Sequence, residues 1–184
     1  MVIFPSVKAH QRATSLFSAL ILVALLVLPL ACASTGKKGR LNEVKSKVEA
    51  VWILEEWHMK GEVVRPPKVD GRFIVHDNTC VTILLNRAVE EPWSYYTYGN
   101  YTWDASTFAM QFTETSFFKE SASGITVSRK LTFDGKMKSF AISTENEKLE
   151  MRADDGVEII VDGDTLIFGK KGKITRIWRR AGAK

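Results

Sequence analysis

Glu56 and His58 are the residues of this sequence best placed for acid–base work. They lie two apart in an apolar segment, VWILEEWHM (51–59), and the period of two along an extended chain puts both on one face. If Trp52 and Leu54 face a core, Glu56 and His58 face it too. A carboxylate and an imidazole there could orient a ligand or act as a general acid–base pair. If a bulge or the strand's end intervenes, both stand in solvent. His76 alternates against Phe73 and Val75 and is expected to face outward. Cys80, between Thr79 and Val81, reads as a small buried residue rather than a nucleophile. Beyond position 33, His58, His76 and Cys80 are the only His and Cys, and no metal centre is expected from them. No G-x-S-x-G elbow, no ligand-rich calcium loop and no phosphate-cradling glycine loop before a helix is present. No cofactor is expected.

A second chemistry is apolar recognition. The segment WSYYTYGNYTW (93–103) carries Trp93, Tyr95, Tyr96, Tyr98, Tyr101 and Trp103. Aromatic strand residues are mostly core or cross-strand pairs. They also make binding surfaces, because each ring offers large area and, in Tyr and Trp, a polar tip. With Tyr101 and Trp103 inward beside Phe108, Met110 and Phe112, an apolar ligand would meet rings on two adjacent strands. Trp52 and Leu54 complete the expected lining. Tyr96 and Tyr98 then lie on the outer face or at the rim.

The elements that must position these side chains are short strands. Asp77-Asn78 lies between RFIVH (72–76) and CVTILL (80–85), a plausible hairpin turn. TFAMQFTETSFF (107–118) alternates with Phe108, Met110 and Phe112 on one face, and Gly99 marks a bulge or bend. Asp134-Gly135, Asp162-Gly163-Asp164 and 169–172 supply further turns. Nine or ten β segments about 8–14 residues apart, with no long helix, predict an antiparallel all-β domain. Closure into a barrel removes the unpaired edges. LNEVKSKV (41–48) has weak helical spacing and predicts a short helix leading into the domain.

Ahead of these segments, Lys8, His10 and Arg12 precede an apolar run of 13 residues, Leu16 to Leu28. Spanning a bilayer takes about 20, so residues 1–33 read as a signal peptide. Cleavage after Ala33 fits the small residues Ala31 and Ala33. Alternatively, Leu30-Ala31-Cys32 resembles a bacterial lipobox with Cys32 as the lipidated residue, although Pro29 and Leu30 depart from its usual pattern. Residues 34–46 form a polar tether, 47–180 the barrel and 181–184 a basic tail. The net charge of +5 falls to +3 without the leader, and seven basic groups sit in the last fifteen residues. The preceding body, 34–169, is net −4, so the basic balance reads as a solvated end facing anionic envelope surfaces rather than a nucleic-acid surface.

Several features in order resemble the bacterial lipocalin-like domains of the calycin group. They are Trp52 in the first strand, the hairpin GRFIVHDN (71–78), YGNYTWD (98–104), and DGDTLIF (162–168). Ala50 stands where that family usually carries a glycine. The resemblance covers roughly 48–180. It implies an up-and-down barrel of about eight strands that holds one small hydrophobic molecule or lipid, with Arg176 or Arg179 over the first-strand Trp. The expected location is the periplasm or the envelope, anchored through Cys32 if that residue carries lipid.

Overall fold

The structure, a computed structural model, describes residues 39–183 apart from 60, 105 and 130–134. The expected signal peptide, its Cys32 and positions 34–38 lie outside the described residues. Residues 39–48 form a helix, α1, which begins inside the segment expected to be tether. Among the described residues twelve strands follow: β1 (Ala50–Met59), β2 (Glu62–Val64), β3 (Val69–His76), β4 (Thr79–Asn86), β5 (Trp93–Trp103), β6 (Thr107–Ser121), β7 (Gly124–Arg129), β8 (Lys138–Glu145), β9 (Lys148–Arg152), β10 (Val157–Asp162), β11 (Thr165–Lys170) and β12 (Ile174–Arg180).

Each strand pairs antiparallel with its neighbour in the order β1-β3-β4-β5-β6-β8-β9-β10-β11-β12, and β12 returns to β1 along Trp52–Met59. The result is a closed all-β barrel of ten strands. Short β2 and β7 extend the walls beside the far ends of β1 and β6. The resemblance implies about eight strands. The larger number follows from brief strands and frequent tight turns: β9, β10 and β11 have only five or six residues each. Asp77-Asn78 and Asn146-Glu147 make two-residue turns with positive φ throughout, the geometry that matches strand twist.

Two register shifts decide which side chains point inward. In β1, Leu54 pairs with Trp178 but Glu56 pairs with Ile177, so Glu55 is an extra residue. Trp52, Leu54 and then Trp57 are buried. In β6, Phe112 faces Gly99 and Glu114 faces Tyr98, so Thr113 is the extra residue. The bulge expected at Gly99 lies here. A Cβ on Gly99 would sit 2.0 Å from the Gln111 carbonyl oxygen, so only glycine permits this approach. Past the shift, Thr115 turns inward.

One end of the barrel, the base, is packed solid. Val44 and Val48 of α1 join Trp52, Phe73, Val75, Cys80, Tyr101, Phe108, Phe140 and Leu149 in the buried core. Trp52 Nε1 donates to the Val48 carbonyl at 2.9 Å. Arg180 lies 4.6 Å over the Trp52 ring and donates to the Lys47 carbonyl. Tyr101 Oη donates to Glu49 at 2.7 Å. These contacts stitch helix, first strand and last strand together. The opposite end, where the β1–β2, β4–β5 and β11–β12 connections lie, is the mouth.

Candidate functional site

Toward the mouth the interior opens into a cavity of about 260 Å³ lined by Thr82, Tyr95, Phe112, Val157, Phe168, Gly169, Lys170, Ile174, Arg176 and Trp178. Its volume lies just below the roughly 300–1,000 Å³ of sites for drug-sized molecules. The walls come from opposite sides of the barrel. Facing inward on β4, β5 and β6, Thr82, Thr97 and Thr115 are neighbours in one row. On β11 and β12, Phe168 pairs with Arg176, and Arg176 pairs in turn with Trp57 of β1. Trp57 meets Trp93 edge-to-face at 5.5 Å, and Trp93 stacks obliquely on Phe117 at 5.3 Å. This line of rings covers part of the mouth.

Two charged groups border this cavity: Lys170 donates from its Nζ to the Asp155 carbonyl, whereas Arg176 is set among aromatic rings and makes no ion pair among the described residues. Its guanidinium lies 4.6 Å over the Trp57 ring, a favourable cation–π arrangement. Its Nε is buried with no hydrogen-bond partner, while the rest of the side chain keeps partial access through the cavity. Burial pulls its pKa down to about 10, because desolvation penalises the charged form. It remains protonated at neutral pH. The indole N–H groups of Trp57 and Trp178 are likewise buried without acceptors.

The residues expected to line a ligand site divide between two places. Phe112 borders the cavity. Trp52, Leu54, Tyr101, Phe108 and Met110 are fully buried in the core, and Trp103 packs against it. Tyr101 and Trp103 also border a separate shallow cleft beside Leu41 and Lys45 of α1. Tyr96 and Tyr98 are exposed on the outer face, as the alternation requires. Tyr95 belongs to the cavity.

Glu56 and His58 do come together, with 2.7 Å between His58 Nε2 and Glu56 Oε2. The extra residue Glu55 moves them off the inward face, however: Glu56 pairs with outward Ile177 and His58 with Thr175. Glu56 also accepts from Arg65, and its carboxyl is held below the usual range chiefly by the His58 hydrogen bond and then by Arg65. The pair is an outer-wall ion cluster and does not face the cavity. Cys80 is buried, and desolvation pushes its thiol up to about 12, which suppresses the thiolate needed for nucleophilic work. His76 is exposed.

The arginine expected over the first-strand Trp also differs. Arg180 covers Trp52, Arg176 covers Trp57, and Arg179 points outward to pair with Glu55 at 2.5 Å. The segment ITRIWRR (174–180) contained the signal, since Arg176 and Trp178 share a face by alternation. Comparison of the chain with protein-family models, with curated proteins and with solved structures finds no match.

Proposed function

We propose that this chain is an exported barrel protein that binds a small hydrophobic molecule or lipid inside its mouth. The observation that carries the reading is the cavity itself. It is walled by Phe112, Phe168, Ile174 and Trp178 with a few polar groups among them, the composition of small-molecule sites. The packed base supports it, because it gives the guest a floor. The leader and the candidate lipid-bearing Cys32 support an envelope location, periplasmic or anchored.

Two titrations test this. A neutral naphthylamine dye, followed by its own emission, and decanoate or decanol, followed by tryptophan emission, should both saturate. Trp178 borders the site, and Trp57 lies behind it under Arg176, so tryptophan emission should report binding. Val157→Trp, which narrows the cavity, should abolish both signals while leaving the far-ultraviolet β spectrum unchanged. If no member of this series gives a saturable change, the binding role is wrong.

A protein-interaction role is the second reading. It is favoured by the outer face of β5–β7, where Tyr96 meets Phe118 edge-to-face at 5.5 Å and Ile125 and Val127 are 67% and 55% exposed. If that reading holds instead, Ile125→Ser with Val127→Ser changes the protein's self- or partner association and the dye titration shows no binding. An enzymatic role through Glu56 and His58 loses its footing, since neither reaches the cavity.

A further inference from the structure

Charge is the one property of the guest that the cavity wall specifies, and this inference rests on the binding role proposed above. A guanidinium inside an apolar wall is costly unless an anion or a set of acceptors meets it. Around Arg176 every carboxylate on the neighbouring strands is engaged elsewhere. Glu55 pairs with Arg179, and Glu56 with His58 and Arg65, both on the outer face of β1. Near β10, Asp155 pairs with Lys138 and Glu158 faces Arg152. What surrounds Arg176 instead is aromatic: Trp57 beneath its plane, Phe168 beside it on β11, Trp178 two residues along, and Tyr95 of the same cavity, whose phenol favours the charged guanidinium.

Three of the buried unpartnered polar atoms in and beside this wall are N–H donors, Arg176 Nε, Trp57 Nε1 and Trp178 Nε1, and a fourth, the Thr97 hydroxyl on the facing wall, can donate or accept. A guest that is purely hydrocarbon leaves them unmatched, and a cationic guest adds repulsion. An oxyanion answers both defects, because its oxygens accept hydrogen bonds and its charge offsets the guanidinium. On the side of Arg176 the approach carries the same sign: Lys170, Lys171 and Lys173 border the β11–β12 turn, where positive groups raise the local concentration of anions, while Glu90 and Glu91 lie across the mouth at the β4–β5 connection.

We propose that the guest is a single-tailed amphiphile whose oxyanion head seats against Arg176 while its tail lies among Phe112, Phe168, Ile174 and Trp178. The modest volume of about 260 Å³ favours a medium-length tail over a bulky polycyclic one. The head is recognised as an oxyanion, whether carboxylate or phosphate monoester.

The test is competition against the neutral naphthylamine dye at neutral pH by four decyl probes: decanoate, decyl phosphate, decanol and decyltrimethylammonium. The expected order places either anion about ten- to a hundredfold tighter than decanol, the range of a charge-assisted hydrogen bond, with the cation weakest. Arg176→Met should bring decanoate down to the decanol level, read as the ratio of the two affinities within the variant. A larger loss for decyl phosphate than for decanoate in this variant identifies the phosphate head as the better fit. If decanol rivals the anions in the unaltered protein, or the anion preference survives in Arg176→Met, the head-group assignment is overturned and the apolar site stands. If neither dye nor any probe binds, the binding role falls and takes the assignment with it. The comparison among probes in the unaltered protein decides the matter even where the variant fails to fold.

Discussion

Removing the charge of Arg176 should strengthen the empty barrel. Burial lowers the guanidinium pKa from 12.5 to about 10, which corresponds to about 3 kcal/mol against the charged form. The stack on Trp57 returns about 1–2 kcal/mol when desolvated. Replacing Arg176 with Met keeps a flexible apolar stem over the same ring and removes both terms, a net gain of about 1–2 kcal/mol. For a domain of this size that is a rise in Tm of roughly 2–8 °C. The sign follows from linkage: the folded pKa lies below the unfolded one, so the folded state holds this proton more weakly. The penalty is therefore complete at neutral pH and fades only as pH climbs through about 10. Urea unfolding of ligand-free protein at pH 7, followed by near-ultraviolet dichroism, measures the difference. A variant less stable than the parent by more than about 1 kcal/mol would refute the reasoning and make Arg176 a structural strut.

Trp52→Phe deletes the donor to the Val48 carbonyl and part of the ring under Arg180; it should cost about 2–4 kcal/mol in urea unfolding without changing dye affinity, since the base lies away from the cavity. Gly99→Val places a methine 2.0 Å from the Gln111 carbonyl oxygen, and the bulge must open; a loss of about 3 kcal/mol or more is expected, with a thermal midpoint close to the parent's contradicting the assigned register. Glu56 is held below its ordinary pKa of 4.5 by His58 and then Arg65, so its stabilisation is present above that pH and lost as pH falls through the folded value. Because the cluster is part-exposed, Glu56→Gln should flatten the acid limb of the stability profile by under about 1 kcal/mol, and an identical acid limb in the two proteins would dismiss the cluster as energetically idle.

The barrel was readable from the sequence because its turns announce themselves. Asp77-Asn78 and Asp162-Gly163-Asp164 fall between alternating runs, and the bounds of β5, β9 and β12 follow the pattern without adjustment. The site was less readable, for one physical reason. Alternation predicts facing only until an extra residue intervenes, and Glu55 and Thr113 each carry no local mark of being one. Gly99 did mark the second bulge, although on the partner strand. Past Glu55 the inward residue is Trp57, so the pair Glu56 and His58 turned outward. Trp52, Tyr101 and Phe108 were read correctly as inward; whether an inward ring lines a void or fills one depends on how α1 packs at the base, a long-range fact that strand periodicity does not encode. Arg176 went unassigned as a site residue because an arginine among arginines in ITRIWRR looks like a charged tail.

The sealed floor makes the barrel a cup rather than a tube. With α1, Trp52 and Arg180 stoppering one pole, anything inside can leave only by the way it came. A newcomer cannot push an occupant out from behind, so replacement must wait for spontaneous departure. Exchange kinetics in such a vessel level off as competitor is added, at a ceiling set by the outgoing step alone. For a guest bound as proposed, residence time would be governed by the Trp57, Trp93 and Phe117 rings at the lip, and affinity by what lies below them.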